Sequence, residues 1–444
     1  MKNKKALIVR KLVHAVTGLL ILILTYVIER DVLLFLIIGG SIFSFATFRY
    51  KKLQLVHKTA DASLGTLFYP LGILSSFLVL ADLPLFYFRT ALLVLTISDL
   101  LANLIGQIKN RNIIFMVWKD KKSIYGIAAY TVSNVAIFYT FLSDQLSNDI
   151  FFVLSLLLAA IAFEVISSRG SDNLSIPLGL SLIFIFQEKG HPDFLLLSVV
   201  LIVLTAGAYP LFKWKMLTRY GSLIAWLLGV YFFVLAGWNW ILPVFLFFFS
   251  SLGFTKINQA NSRKKVQSGG RNAWQVLANV LWALISSVLY LITKNELFIY
   301  FFIAFVAAVT ADTWASEIGP VFNKMSFSAA DWKMHKSGIT GGISFSGTLA
   351  ALAGSFIISA LSYLLFFENW NWAIIGILSI SAFLACFADT FIGAFFEEKL
   401  SKLRFFKHRD TPESITPNDI VNLSGSLMAF VFFLLLYFLF SFNS

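Results

Sequence analysis

Charge is scarce in this 444-residue chain: Asp, Glu, Lys and Arg together make up 13% of it, and there are only five histidines and nine prolines. A soluble globule carries about 25% charged residues, so that class is excluded. The single cysteine, Cys386, lies inside a hydrophobic run, which rules out disulfides and thiolate metal centres. The glycine-rich stretches lack the Lys-Ser/Thr ending of a Walker phosphate loop. No cleavable leader is expected, because the first apolar run, Ala6 to Ile28, has no small-residue cleavage pattern and reads as a first membrane helix.

What is abundant is apolar surface. Hydrophobic residues are 58% of the chain and mean hydropathy is +0.81, against about 45–50% apolar in soluble domains. The expected fold is an all-α polytopic membrane protein, with about 15 transmembrane helices marked by apolar runs near the ~20 residues that cross a bilayer. The 48 phenylalanines are lipid-facing and packing material.

The net charge of +12 reports orientation and not a nucleic-acid partner, since Lys and Arg collect on the cytoplasmic side of membrane proteins. With the N-terminus placed inside, 31 of the 35 Lys and Arg fall in inside connections, leaving only Arg30, Arg89, Lys189 and Lys294 elsewhere. This predicts a multi-pass protein of the cytoplasmic membrane, N-terminus in and C-terminus out.

The basic stretch "KWKMLTR", Lys213 to Arg219, divides the chain into two expected domains, 1–212 and 213–444. Motifs recur across that divide. Asp99, Ala102 and Gly106 in "SDLLANLIG" share their spacing with Asp312, Ala315 and Gly319 in "ADTWASEIG". A Ser-x-x-Gly follows each, Ser123 to Gly126 and Ser344 to Gly347, and Glu164 and Asp389 close later helices in turn. Preserved order and orientation predict two parallel-related helical modules, not an inverted repeat.

Steps of three and four put Asp99, Ala102 and Gly106 on one helix face. A carboxylate there can bind Mg²⁺ or orient a hydroxyl while the small residues admit a phosphate; the plainer alternative is close helix packing with a solvated acid. Acidic groups at membrane depth default to function. Arg10, Lys11 and His14 can grip phosphate oxygens or move a proton. Lys122 and Ser123 open a helix whose free amides favour anions. The turn "SSRGSDNLSIP" gathers Arg169, Asp172 and Asn173, which with Glu164 can form an oxygen-ligand metal and phosphate site.

In the second half, Arg271, Gln275 and Asn279 recur every four residues and are expected on one helix face. "SGITGGIS" carries Gly341 and Ser344 into another helix start, where backbone amides can cradle phosphate. Asp312, Glu317, Asp389, Asn418, Asp419 and Asn422 are expected beside it, with Asp312, Asp389 and Asp419 on metal.

The first-half motifs "RKLVHAVTG", "GTLFYP", "SDLLANLIG", "KSIYG" and "DNLSIP" together resemble the phytol kinase and dolichol kinase family of CTP-dependent membrane lipid kinases. The second half, through "LTRYGSLIAWLLG", "GGRNAWQVLAN", "ADTWASEIGP", "SGITGGISFSGT", "ADTFIGAFFE" and "NDIVN", is similar to the phytyl-phosphate kinase family, related to the transmembrane protein 19 group. These resemblances imply a fused pair of kinases using CTP or another nucleoside triphosphate with Mg²⁺. One would convert a prenyl alcohol to its monophosphate, and the other that prenyl phosphate to the diphosphate. Asp99, Glu164 and Asp172 would serve metal or hydroxyl in the first site, and Arg10, Lys122 and Arg169 the phosphates. In the second, Asp312, Glu317, Asp389 and Asp419 take the acidic roles and Arg271 the phosphate role. Two other readings stay open: a CTP-dependent cytidylyltransferase making a CDP-lipid, and a lipid transporter.

Overall fold

A computed structural model describes residues 2–49, 65–107, 114–117, 120–146, 150–167, 170–188, 193–261, 270–403 and 414–441. Among these, eleven helices are long and apolar enough to cross a membrane, and four shorter apolar helices join them. The chain is an all-α membrane protein, with two small antiparallel sheets among the described residues that the hydropathy pattern does not announce.

Contacts group the chain into two compact units, Met1–Pro210 with Trp226–Leu235, and Leu211–Ala225 with Ala236–Ser444. In the first unit α1 (Lys2–Val27), α2 (Arg30–Arg49), α3 (Gly65–Val79) and α4 (Leu85–Leu93) come first. A π-helical stretch, Val94–Ser98, then feeds α5 (Asp99–Gly106). Strands β1 (Ile114–Val117) and β2 (Asp120–Ser123) pair antiparallel and lead into α6 (Ile124–Leu146). The helices α7 (Ile150–Ile166), α8 (Asp172–Gln187) and α9 (Phe194–Lys213) follow, the last running past the end of this unit's first segment.

Helix α10 (Arg219–Tyr231) continues into a second π-helical stretch, Phe232–Ala236. The rest belongs to the second unit: α11 (Trp238–Asn261), α12 (Ala273–Thr293), α13 (Leu297–Phe322), α14 (Phe345–Phe366), α15 (Trp372–Ser401) and α16 (Pro417–Ser441). Between α13 and α14 lie β3 (Met325–Ser328), β4 (Met334–Lys336) and β5 (Gly342–Ile343), with β3 in the middle of the sheet.

Local chemistry sets these boundaries. Asn272 and Gln275 form a reciprocal capping box at the start of α12, and Asn371 caps α15 by accepting from Ile374 N. Pro70, Pro177 and Pro320 sit inside helices, which membrane helices tolerate when neighbours re-satisfy the freed carbonyls. The two most deeply buried spans are those that carry Asp99 and Asp312. Each therefore lies toward the interior of its own unit and presents its carboxylate from a largely buried span.

Each unit brings the repeated motifs together in the same way. A Cβ on Gly126 would lie 2.8 Å from the Ala102 carbonyl oxygen, and one on Gly347 would lie 3.1 Å from that of Ala315. Only glycine allows these helix pairs to meet backbone on backbone. Ser123 Oγ accepts from Gly126 N at 3.2 Å, and Ser344 Oγ accepts from Gly347 N at the same distance. In the first unit that serine is the last residue of a short antiparallel sheet, and in the second it follows one directly.

Candidate functional site

In the first unit three carboxylates converge from three helices. Asp99, Glu164 and Asp172 bring ligand oxygens within 4.8 Å of one another. Two lysines meet them: Lys11 Nζ donates to Asp99 and lies 3.6 Å from Asp172 Oδ2, while Lys122 Nζ donates to Glu164 Oε1 at 2.7 Å and to the Glu164 carbonyl at 2.6 Å. Burial works against the Lys122 ammonium, but Glu164, Asp172 and Asp99 outweigh it and hold its pKa above the ordinary lysine value. Asn173 is 1% exposed and ties α8 to α3 by donating to the Gly65 carbonyl at 2.9 Å.

The Glu164 Oε2 and Asn173 Oδ1 atoms are buried without a hydrogen-bond partner among the described residues. Oxygen-only donors, clustered carboxylates and an unsatisfied buried oxygen fit a hard divalent cation. Lys11 is the competing occupant of that charge.

The second unit encloses a cavity of about 390 Å³. Asp312 and Glu317 from α13, Asp389 from α15 and Asn418 and Asn422 from α16 line it, and the Ser337–Ile343 stretch forms its rim. Asp389 packs directly against Gly425, where a Cβ would fall 2.3 Å from its Oδ1. Asn422 Nδ2 donates to Asn279 Oδ1 at 3.5 Å, and Trp282 Nε1 to the Leu423 carbonyl at 2.8 Å, which fixes α12 against α16. Glu317 is held by Thr255 Oγ1 at 2.6 Å and Asn258 Nδ2 at 2.9 Å, both from α11. Arg271 completes that corner by donating to Thr255 Oγ1 at 3.3 Å. Burial lowers the Arg271 guanidinium pKa, with Glu317 acting in the opposite direction.

Most of the expected residues of the second site line this one cavity: Arg271, Asn279, Asp312, Glu317, Gly341, Ser344, Asp389, Asn418 and Asn422. Asp419 does not. Its Oδ2 accepts from Thr416 N at 2.6 Å, so it closes the turn that starts α16 and is not a lining carboxylate. Arg271 also departs from expectation, because it precedes α12 and does not share a helix face with Asn279. Its backbone pairs with residues 216 and 218, N to the Met216 carbonyl and Thr218 N to its own, each at 2.9 Å.

In the first unit Lys11 and Lys122, expected on phosphates, are engaged with carboxylates. His14 stacks on Tyr69 with ring centroids 4.2 Å apart, and the Tyr69 hydroxyl donates to the His14 carbonyl. Arg169 and the side chain of Arg10 lie outside the described residues. Sequence reasoning missed Thr255 and Asn258, whose signal was a polar pair three apart at the end of an apolar helix. It also missed the pairing of Lys11, whose signal was a lysine one turn inside an apolar segment.

The family model for "integral membrane protein DUF92" matches residues 201–441. An uncharacterised membrane protein of Methanocaldococcus jannaschii is 25% identical over 242 residues, 54% of this chain and 94% of the relative. One from Synechocystis is 28% identical over 192 residues, 42% of this chain and 74% of the relative. A protein of Arabidopsis thaliana named PGR is 29% identical over 196 residues, 39% of this chain and 66% of the relative. No solved structure matches. The match takes in α11 to α16 with the whole cavity wall, and on it the chain belongs to the DUF92 family of integral membrane proteins.

Proposed function

We propose that the protein is a bifunctional membrane lipid kinase. The first unit would phosphorylate a long-chain isoprenoid alcohol of the phytol or geranylgeraniol type, and the second would phosphorylate the resulting monophosphate, with CTP or another nucleoside triphosphate as donor. The observation that carries this reading is the second unit's cavity, where Asp312 and Asp389 share space with a glycine-rich rim, three asparagines and Arg271. Phosphoryl transfer needs alignment and charge neutralisation more than covalent chemistry, and that residue set supplies both.

In each site the lipid oxygen attacks the terminal phosphorus of the donor, the bond to the nucleoside diphosphate breaks, and a carboxylate of the cluster takes the attacking group's proton. Asp99, Glu164 and Asp172 would hold Mg²⁺ in the first site, and Asp312 with Asp389 in the second. When bound, Mg²⁺ supplies charge neutralisation at the phosphate oxygens. Arg271 and the Gly341 amide orient the phosphates. Each site would face the cytoplasm from the cytoplasmic membrane, where soluble nucleotide is available.

The test uses purified protein in detergent with geranylgeraniol or phytol, Mg²⁺ and CTP or ATP, with lipid products followed by mass spectrometry. Wild type should give diphosphate, Asp312→Asn should stop at monophosphate, and Asp99→Asn should act only on supplied monophosphate. Release of pyrophosphate with a CDP-lipid product would replace the kinase reading with a cytidylyltransferase. No product with any nucleotide would sink both.

A further inference from the structure

The sheet between α13 and α14 has its polarity reversed. In β3, Met325 is exposed, Ser326 buried, Phe327 half-buried and Ser328 buried. Register places Met325 opposite Lys336 and Phe327 opposite Met334, so one face of the hairpin carries Met325, Phe327, Met334 and Lys336. Trp332 stands in the connecting turn in a left-handed backbone (φ 56°), 64% exposed, with its ring 5.5 Å from Phe327. The opposite face is the polar one: Ser326 and Ser328 are buried, and a Cβ on Gly342, a cavity-rim residue, would lie 2.8 Å from Ser326 Oγ.

An apolar outer face over a polar inner one is the wrong order for water. The hairpin's tethers account for it. Sheet residues begin three positions after α13 ends and finish two before α14 begins, a reach of about 10 Å from two spans. Phe322 and Phe345, which end and begin those spans, are 74% and 75% exposed. Lys324, Lys333 and Lys336 are exposed around the apolar face, while Asp331 is engaged with His335 at 2.7 Å. Exposed Trp and Met ringed by lysines match the boundary between acyl chains and anionic headgroups.

We infer that the β3–β4 hairpin is an interfacial anchor whose apolar face seats in the headgroup layer of a bilayer containing anionic lipid, holding the cavity rim at that depth. This stands whether or not the chain is a kinase.

The single native cysteine makes the test direct. In a Cys386→Ala background, Met325→Cys and Met334→Cys are each labelled with an environment-sensitive fluorophore, with Glu398→Cys as an exposed reference. The labelled full chain is placed in nanodiscs of neutral lipid or of neutral plus phosphatidylglycerol. Probes at 325 and 334 should emit to the blue of the reference and be quenched more by a nitroxide near the headgroup than by one at the chain end. Phosphatidylglycerol should strengthen this, and the combined Lys324→Gln, Lys333→Gln, Lys336→Gln variant should lose that dependence. Water-like emission at both positions in both bilayers overturns the anchor. Phosphatidylglycerol dependence undiminished in the lysine variant overturns the role given to anionic headgroups.

Discussion

In the first unit Asp99 meets the ammonium of Lys11 and Glu164 meets that of Lys122. In the second, Asp312 and Asp389 face a cavity whose only lining cation is Arg271, among the described residues. The frames are otherwise alike: the same Asp-Ala-Gly spacing, the same glycine-on-glycine helix contact, the same serine cap. One scaffold thus carries two electrostatic arrangements among the described residues: carboxylates paired with internal lysines in the first unit, and carboxylates lining a cavity with a single cation in the second. The local chain differs too, since a π-helical stretch runs directly into Asp99 while α13 continues regularly through Asp312. π-bulges often mark functional positions.

The largest effect should come from removing the counter-ion that makes the units differ. Lys11→Met leaves the buried Asp99 without the ammonium it pairs with and removes the one 3.6 Å from the half-buried Asp172. Breaking a buried pair on one side costs about 3–5 kcal/mol. Thermal unfolding in detergent without divalent cations should show the first unit melting earlier, with millimolar Mg²⁺ recovering part of the loss through binding to the folded state. An unchanged melt would mean that Lys11 is not what balances the cluster.

Next come the close contacts that place the acids. Gly425→Ala drives a methyl into Asp389, with its Oδ1 at 2.3 Å and its Cα at 2.8 Å. Overpacking of this kind costs about 1–3 kcal/mol, and here the side chain displaced is a proposed catalytic one. The second phosphorylation should fall while the first survives. Gly376→Ala, on the same helix as Asp389 but with open space around its Cα, should leave both intact. Equal losses in the two variants would separate Asp389 from the chemistry.

Much of this architecture can be read from the sequence because membrane helices announce themselves. The fifteen apolar segments and the repeated Asp-Ala-Gly spacing follow from hydropathy and period alone. The cavity's lining was legible for a related reason: polar residues at the ends of apolar helices have few other uses. What stayed hidden depends on long-range geometry. Nothing local says that Lys11 reaches Asp99, 88 residues on, or that Thr255 reaches Glu317. Arg271, Gln275 and Asn279 look like one helical face at four-residue steps, yet Gln275 closes the capping box with Asn272, so the helix starts after Arg271. The short sheets escaped for want of length, since strands of two to four residues leave no alternating pattern to detect.

The caps should show where the units agree. Ser123→Ala and Ser344→Ala each remove the acceptor for a glycine amide at 3.2 Å, and losing such a cap costs about 1 kcal/mol. Matching small decreases in unfolding temperature would support equivalence of the two helix starts. A large loss of phosphorylation with no loss of stability would instead make the serine a substrate contact in the unit where it occurs.

Asp419→Asn should have the smallest effect, and it decides what that residue is for. The side chain accepts from Thr416 N at 2.6 Å and is 1% exposed, and an asparagine keeps an oxygen in the same place. Asn and Asp cap helices about equally well, so stability should change by no more than about 0.5 kcal/mol. A ligand of Mg²⁺ behaves differently, because losing one carboxylate charge weakens a hard-cation site. The measurement is the Mg²⁺ concentration that half-saturates the second phosphorylation, compared for wild type, Asp419→Asn and Asp389→Asn. Asp419→Asn should match wild type while Asp389→Asn shifts upward or loses activity. A shift in Asp419→Asn equal to that of Asp389→Asn would return Asp419 to the metal site and require α16 to rotate its first turn toward the cavity when substrate binds.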